Sequence, residues 1–140
     1  MSDPTKCTVL LAEDDSSLRT LLAFELKRLG LEVSAVSGGE QALSAMKARP
    51  FDLVVTDLKM GKVDGFAVLD ASRRGLPEAQ VIVITGHGTI DSAVRAMKEG
   101  AFDYLTKPVE PEALGISVHK ALERKRLLSE VEQLRAQVRG

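Results

Sequence analysis

The sequence predicts one α/β domain in which helices cover both faces of a five-stranded parallel sheet. Short apolar runs recur along the chain, and stretches with helical spacing separate them. Regular alternation of strands and helices is typical of a parallel sheet, and largely apolar strands indicate burial on both faces. The length of 140 residues suits one domain of this kind.

The strands are predicted from the apolar runs, at residues 7–13, 31–37, 51–57, 81–85 and 103–106. The first helix carries five leucines at helical spacing, which predicts one buried face: Leu18, Leu21, Leu22, Leu26 and Leu29. Gly30 follows it as a stop signal, the second helix ends before Pro50, and the third begins near Phe66. A fourth helix has an apolar face of its own, and a final helix follows the last strand: Ile90, Ala93, Val94 and Met97 form that face.

Composition narrows the function classes before any motif is considered. The net charge of −1 gives no basic field for recruiting nucleic acid, so direct nucleic-acid binding is not expected. Cys7 is the only cysteine, which excludes an internal disulfide and fits a reducing cytosol. No apolar run is long enough to span a membrane and the N-terminus has no apolar signal region, so a cytoplasmic location is expected.

Polar residues gather where the predicted strands end. Glu13 and Asp14 follow the first strand, Asp57 ends the third, Thr85 ends the fourth and Lys107 follows the fifth. Parallel strands place their carboxyl ends at one edge of the sheet, where ligands bind. Three crowded carboxylates disfavour one another unless a cation lies among them, and oxygen ligands favour Mg²⁺. With a lysine and a hydroxyl beside them, the pattern predicts capture of a phosphoryl group on Asp57.

Each of these residues also has an ordinary structural interpretation when it is taken alone. A single aspartate after a strand is most often a turn or cap residue, and Asp15 or Ser16 is expected to cap the first helix. The functional interpretation therefore rests on the joint occurrence of the acids, the threonine and the lysine at successive strand ends.

This joint pattern resembles the response-regulator receiver domains of two-component signalling. The motifs that carry the resemblance lie within residues 5–125 and read LLAEDDSSLR, VVTDLKMGKVDGF, VIVITGHG and AFDYLTKP. The resemblance implies a flavodoxin-like, doubly wound sheet of strand order 2-1-3-4-5 with an extended C-terminal helix, and a receiver domain over residues 1–122. It also implies phosphorylation by a sensor histidine kinase with Mg²⁺, and no enzymatic activity beyond the domain's own phosphoryl transfer and dephosphorylation.

The resemblance assigns chemical roles position by position. Asp57 matches the phosphoacceptor, and Lys107 matches the lysine that pairs with the bound phosphoryl group. Asp14 matches a direct Mg²⁺ ligand, while Glu13 matches the acid that holds the ion through water. The backbone carbonyl of Lys59 matches a main-chain metal ligand.

The resemblance also implies a switch and a means of setting its duration. Thr85 matches the hydroxyl that moves toward the phosphoryl group, and Tyr104 matches the aromatic residue whose rotation accompanies the switch. Lys59 and His87 match the two positions that tune the phosphoryl lifetime. The peptide bond between Lys107 and Pro108 is expected to be cis.

Gly61 departs from the family pattern, which usually has proline at this position. Glycine leaves the backbone free where proline would restrict it, so the loop after the third strand is expected to be more mobile. We therefore expect Gly61→Pro to raise the melting temperature, provided that the local φ permits proline.

Residues 123–140 continue past the point where the last helix of a receiver domain needs to end. They are predicted to form a linker helix with apolar residues at coiled-coil spacing, namely Leu127, Val131, Leu134 and Val138. Together with TGHGTIDSAVRAMKEGAFDYLTKP, this tail resembles the NtrC-like subgroup, in which the helix leads to an ATPase domain acting on sigma-54 RNA polymerase and then to a DNA-binding domain. The resemblance implies a homodimer through the helix that phosphorylation relieves or rearranges. A helix that packs on its own domain is the alternative.

Other functions fit the sequence less well. A stand-alone or differently coupled receiver module would share all the strand-end residues. A Mg²⁺-dependent phosphohydrolase with an aspartate nucleophile needs a second acid two residues later, where Lys59 stands. A phosphate-independent interaction module would normally lack part of the set, and a flavin-binding domain would not place three acids after its first strand.

Overall fold

The computed structural model describes residues 6–86 and 88–139, and these form alternating strands and helices. The five strands are β1 (Thr8–Ala12), β2 (Glu32–Val36), β3 (Leu53–Asp57), β4 (Gln80–Thr85) and β5 (Asp103–Thr106). The five helices are α1 (Ser16–Arg28), α2 (Gly39–Ala48), α3 (Gly65–Gly75), α4 (Ile90–Lys98) and α5 (Pro111–Arg139). Each predicted element is present, with strand limits within two residues of those expected.

All strands are parallel and lie in the order β2-β1-β3-β4-β5, which confirms the predicted topology. Residues opposite each other in the central strands include Ala12 and Thr56 on β1 and β3, and Asp57 and Ile84 on β3 and β4. The chain order reverses at β1, so the carboxyl ends of β1 and β3 adjoin the point where the connections pass to opposite faces of the sheet. This register brings the residues after β1 next to the end of β3.

Alternate residues of the central strands build two apolar clusters, one on each face of the sheet. On β4, Val81 and Val83 join one cluster, whereas Ile82 and Ile84 join the other. Helices α2, α3 and α4 cover the first cluster, and α1 and α5 cover the second. Because both faces are covered, β3 and β4 are buried along their whole length, as their apolar sequences predict.

Helix α1 begins at a side-chain cap and ends at a glycine in the left-handed region. The Asp15 carboxylate accepts a hydrogen bond from the Leu18 amide, which confirms the predicted cap, and Gly30 has φ +87°. The predicted leucine face is only partly correct, because Leu22 and Leu26 are buried while Leu21 and Leu29 are exposed. The five leucines cover a wider arc than the face that packs on the sheet.

The apolar face predicted for α4 is largely exposed. Ile90 is 83% exposed, and Val94 and Met97 are about half exposed. The helix packs instead through the fully buried Ala96, whose small side chain allows close approach, and the Arg95 guanidinium lies 3.8 Å from the centre of the Phe66 ring on α3.

Helix α5 runs without a break through residue 122, after which the linker helix is predicted to begin. Beyond that point, Lys125 Nζ lies 2.8 Å from Asp52 Oδ1, and Ser129 Oγ donates to Glu78 Oε2 at 2.7 Å. Asp52 and Glu78 lie at the amino ends of β3 and β4, so the extension remains attached to the base of the sheet for two further turns. Within the described residues, no helix is long and apolar enough to cross a membrane.

Gly61 has φ +67°, a conformation that glycine adopts readily and proline cannot. The expected stabilisation by Gly61→Pro was conditional on a compatible backbone, and this backbone is incompatible. The condition is therefore not met, and the substitution should destabilise the loop.

Candidate metal and phosphoryl site

Strand pairing brings two buried carboxylates together at the carboxyl edge of the sheet. Glu13 directly follows β1 and is fully buried, and Asp57 ends the neighbouring β3 and is 4% exposed. The Glu13 amide donates to the Val36 carbonyl at 3.1 Å, so the chain is still held to β2 where the acidic run begins. Such burial is unfavourable for an ionised carboxylate unless a positive charge lies close to it.

One lysine supplies that charge. Lys107 Nζ lies 2.7 Å from Asp57 Oδ2 and 2.9 Å from Glu13 Oε1. Lys107 reaches this position from the end of β5, and its peptide bond to Pro108 is cis, as the resemblance predicted. The ammonium therefore bridges the carboxylates that end two other segments of the chain.

Asp14 completes a cluster of three acids. Glu13, Asp14 and Asp57 each offer one carboxylate oxygen, and these oxygens all lie within 4.8 Å of one another. Among the described residues, Lys107 is the only cation in direct contact with these carboxylates. The cluster therefore retains an excess of negative charge, carried by two buried carboxylates and the exposed Asp14.

The pKa values reflect this imbalance. Burial raises the pKa of Glu13, and the nearby Asp57 charge raises it further, against the opposing effects of the Asp15 amide and Lys107. Partial burial lowers the pKa of Lys107, but its contacts with Asp57 and Glu13 outweigh burial and hold that pKa above its ordinary value. Lys107 therefore stays charged, while Glu13 lacks full compensation.

The donor set suits Mg²⁺. All the side-chain donors are carboxylate oxygens, which are the ligands that a small divalent cation prefers. Glu13 Oε1 is buried and, among the described residues, accepts no hydrogen bond of good geometry despite its ion pair with Lys107. A cation or its bound water would satisfy this oxygen, so the residues present fit the metal that receiver domains bind.

The loop after β3 holds Asp57 from the other side. The Lys59 amide donates to Asp57 Oδ1 at 3.3 Å, and the Gly65 amide donates to the Leu58 carbonyl at 2.8 Å. A Cβ atom at Gly65 would lie 2.3 Å from the Asp57 carbonyl oxygen, so only glycine fits at the start of α3. Sequence analysis missed this role of Gly65, although the residue lies within the VVTDLKMGKVDGF motif.

Thr85 and Tyr104 both lie against Gly88, which precedes α4. Thr85 is buried and lines a groove of about 410 Å³ together with Lys59 and Ser92. A Cβ atom at Gly88 would lie 2.0 Å from the Tyr104 hydroxyl and 2.9 Å from the Thr85 methyl carbon. The Gly88 backbone therefore packs against both residues, which places the two predicted switch residues under the same loop.

Two further contacts were not predicted. The Arg19 guanidinium on α1 donates to the Glu13 carbonyl at 2.9 Å and so braces the turn that carries the acids. Ser92 on α4 hydrogen-bonds to Tyr104 across 3.0 Å. Arg19 belongs to the LLAEDDSSLR motif, whereas no pattern around Ser92 points to Tyr104, because the contact depends on how α4 packs beside β5.

The remaining predicted site residues lie away from the cluster or outside the described residues. His87 falls outside the described residues. The seam residues lie on the distal half of α5, and all of them are exposed: Leu127, Val131, Leu134 and Val138. Together with Arg135 and Arg139, three of these residues border a shallow apolar groove of about 360 Å³.

Comparison with known proteins places this geometry in one family. The sequence profile described as "Response regulator receiver domain" matches residues 9–131. The chain is 35% identical over 131 residues to the alginate biosynthesis transcriptional regulatory protein AlgB of Pseudomonas aeruginosa, covering 94% of this chain and 29% of that protein. The chain thus spans less than a third of the length of this relative.

Solved structures agree. A response regulator receiver domain protein from Clostridium thermocellum superimposes with a TM-score of 0.82 at 38% identity, covering 87% of this chain and 98% of that one. NtrX from Brucella abortus, in complex with ADP, has a TM-score of 0.85 at 33% identity, covering 93% of this chain and 30% of that one. These relatives confirm the predicted likeness to the NtrC-like subgroup.

Proposed function

This chain belongs to the response regulator receiver domain family, and from that premise we propose that Asp57 is its phosphoacceptor and that Glu13, Asp14 and Asp57 hold the Mg²⁺ ion. The observation that carries the proposal is the excess of carboxylate over ammonium at the end of β3. A group of acids kept together only for stability would be matched by cations. Here the excess charge provides for a divalent metal.

In the proposed reaction, an Asp57 carboxylate oxygen attacks phosphorus and forms an acyl phosphate. The bond from phosphorus to the imidazole nitrogen of a sensor-kinase phosphohistidine breaks, and the electron pair stays with that nitrogen. Glu13, Asp14 and Asp57 would hold Mg²⁺, which would supply positive charge opposite the transferring group. Lys107 Nζ, which already lies 2.7 Å from Asp57 Oδ2, pairs with a phosphoryl oxygen. The Lys59 carbonyl is proposed as the main-chain metal ligand. The domain is proposed to catalyse only this transfer and the later loss of the phosphoryl group.

The proposed switch follows from differential binding. The phosphoryl group favours a conformation in which the Thr85 hydroxyl and Tyr104 are displaced relative to the unphosphorylated protein. The Gly88 backbone packs against both residues, so a shift of Thr85 acts on the packing of Tyr104 through Gly88. Lys59 and His87 are proposed to set the lifetime of the phosphorylated state.

For the whole protein, we propose that α5 connects this domain to an ATPase domain acting on sigma-54 RNA polymerase and to a DNA-binding domain. The long helix, the likeness to the NtrC-like subgroup and the length of the relatives support this proposal. The exposed residues Leu127, Val131, Leu134 and Val138 are proposed to pair with a second copy of the chain, with the linker beginning at residue 123. Phosphorylation would relieve or rearrange that dimer.

The phosphoacceptor is tested with acetyl phosphate and Mg²⁺, followed by intact-protein mass spectrometry. We expect the wild type to gain the mass of one phosphoryl group and Asp57→Asn to gain none. Asp52→Asn is the matched control, because Asp52 flanks the other end of β3 and is also paired with a lysine. Equal labelling of the Asp57→Asn variant and the wild type would show that another residue accepts the phosphoryl group.

A further inference from the structure

The hydroxyl of Ser92 occupies a junction between the start of α4 and the side chain of Tyr104. Thr89 caps α4 and forms a capping box with Ser92. The Ser92 amide donates to Thr89 Oγ1 at 3.0 Å, and the Thr89 amide donates to Ser92 Oγ at 2.9 Å. Ser92 Oγ therefore belongs to the cap before any contact with Tyr104 is counted.

The contacts of this hydroxyl leave room for a hydrogen bond to tyrosine. A serine hydroxyl has one proton to donate and two lone pairs that accept. Ser92 Oγ lies 3.0 Å from the Thr89 carbonyl, to which it can donate, and accepts from the Thr89 amide. The Tyr104 oxygen lies 3.0 Å away, and either hydroxyl can be the donor. With the serine proton on the Thr89 carbonyl and Tyr104 as the donor, these bonds fill every position on the serine.

The surroundings of Tyr104 favour this arrangement. The ring packs against the cluster on the α2, α3 and α4 face of the sheet, and the Gly88 backbone covers its hydroxyl. A half-buried phenol that turns away from Ser92 would lose this hydrogen bond. The same movement would leave one lone pair of the α4 cap without its donor.

We infer that Ser92 is a positioning residue that holds Tyr104 inward and couples the orientation of the ring to the N-terminus of α4. When Tyr104 leaves Ser92, the cap of α4 loses a partner, and when α4 shifts, the acceptor of the tyrosine moves with it. The exposed residues Ile90, Val94 and Met97 on α4 would therefore move in concert with the ring. The contact is a property of this structure, and only its part in signalling rests on the proposed function.

The chain offers a direct probe, because Tyr104 is its only tyrosine and it has no tryptophan. Collisional quenching of intrinsic fluorescence by acrylamide therefore reports the accessibility of this one ring. Loss of the hydrogen bond should shift the equilibrium between the inward and outward ring by about fivefold. We expect Ser92→Ala to raise the quenching constant, and Ser92→Thr, which keeps the hydroxyl, to restore it toward the wild-type value.

Asp91→Ala is the matched control, since Asp91 is the exposed neighbour of Ser92 in the first turn of α4. Wild-type quenching in Ser92→Ala, or an equal rise in Asp91→Ala, would overturn the inference. A double-mutant cycle of Ser92→Ala and Tyr104→Phe, followed by thermal unfolding, provides a second test. Non-additive effects support the coupling and additive effects overturn it, because loss of the cap alone would not depend on the phenol.

Beryllofluoride with Mg²⁺ separates this inference from the proposed function. If wild-type quenching changes with beryllofluoride and Asp57→Asn does not respond, both the site and its link to Tyr104 are supported. If the wild type does not respond while Ser92→Ala still differs from it, the hydrogen bond to Ser92 is supported and the proposed link from Asp57 to the switch fails.

Discussion

The two ends of β3 carry aspartate–lysine pairs of nearly equal length and opposite character. Before the strand, Asp52 lies 2.8 Å from Lys125, and its other oxygen accepts from the Thr8 amide at 2.8 Å and from the Thr8 hydroxyl at 3.3 Å. At the end of the strand, Asp57 lies 2.7 Å from Lys107 but shares that lysine with Glu13 and lies near Asp14. Among the described residues, the first aspartate is matched by donors, whereas the second belongs to a group with too few.

This difference shows that the length of an ion pair does not reveal what the pair is for. A carboxylate surrounded by enough donors is held in one protonation state and one position, which suits the attachment of α5. A carboxylate in a group with excess negative charge remains able to bind a cation and to act as a nucleophile. The balance of charge around each aspartate, together with its place in the sheet, separates the two roles.

The largest contrast is expected from removing the lysine at each end. Lys107→Ala should lower the rate of labelling by acetyl phosphate about a hundredfold, because a fixed charge aimed at the transferring group is lost. Lys125→Ala should leave that rate unchanged and lower the stability instead. Time courses of labelling by mass spectrometry, with urea unfolding of both variants, measure the two effects. Equal labelling rates in the two variants would contradict the division of roles between the ends of β3.

The second largest difference between the two ends of β3 is expected in how their substitutions change stabilisation by Mg²⁺. At a hundred times its dissociation constant, a ligand that binds only the folded state stabilises it by about 2.7 kcal/mol. We expect Mg²⁺ to raise the melting temperature of the wild type and of Asp52→Asn equally, and that of Asp14→Asn much less. Sodium chloride at matched ionic strength is the control, and an equal shift with sodium would show general screening instead of a site.

The sheet could be predicted from the sequence because its apolar runs directly indicate buried strands. Strands such as β3 and β4 are covered on both faces, so almost every residue in them contributes to the pattern. The meeting of Glu13, Asp57 and Lys107 followed from the same reasoning, since parallel strands end at one edge. Contacts that the topology determines could therefore be predicted from the sequence.

Contacts that depend on how one helix packs could not be predicted from the sequence. The spacing of Ile90, Val94 and Met97 on α4 indicates an apolar face but does not state whether the domain covers it, and it is exposed. Lys125 falls within the predicted linker helix, yet it pairs with Asp52, which is distant in the sequence. The contact between Ser92 and Tyr104 likewise depends on the exact placement of α4 beside β5, which local patterns do not fix.

A smaller effect is expected from neutralising the aspartate at the amino end. Asp52→Asn should lower the free energy of unfolding by about 2 kcal/mol near neutral pH, because a partly buried carboxylate loses its charge-assisted contacts. Burial raises the pKa of Asp52, but Lys125 and Thr8 outweigh burial and hold it below the ordinary value of 3.8. A lowered folded pKa contributes stability above the unfolded pKa, and this contribution is lost as the pH falls through the folded pKa.

The difference in free energy of unfolding between the wild type and Asp52→Asn should therefore be constant above pH ~5 and shrink as the pH falls below ~4. Urea unfolding at a series of pH values measures it. Asp70→Asn is the control, because Asp70 forms an exposed pair with Arg74 within α3 and should contribute less than about 0.5 kcal/mol. A difference for Asp52→Asn that grows toward low pH would contradict the assigned direction of the shift.

The smallest effect on stability is expected from Asp57→Asn, the same substitution at the carboxyl end of β3. Here the substitution should stabilise the protein. In a chelator, Asp57→Asn should raise the melting temperature, by an amount equivalent to less than about 1 kcal/mol. It removes one of three crowded charges, while Lys107 keeps Glu13 as an ionic partner at 2.9 Å and the new amide oxygen can still accept a hydrogen bond.

Excess Mg²⁺ should reverse the order of the two melting temperatures, because the wild type retains the carboxylate that binds the ion. Thermal unfolding of both proteins with chelator and with Mg²⁺ tests the crossing, and a lower melting temperature for Asp57→Asn in chelator would show that the attraction of Lys107 exceeds the repulsion among the acids.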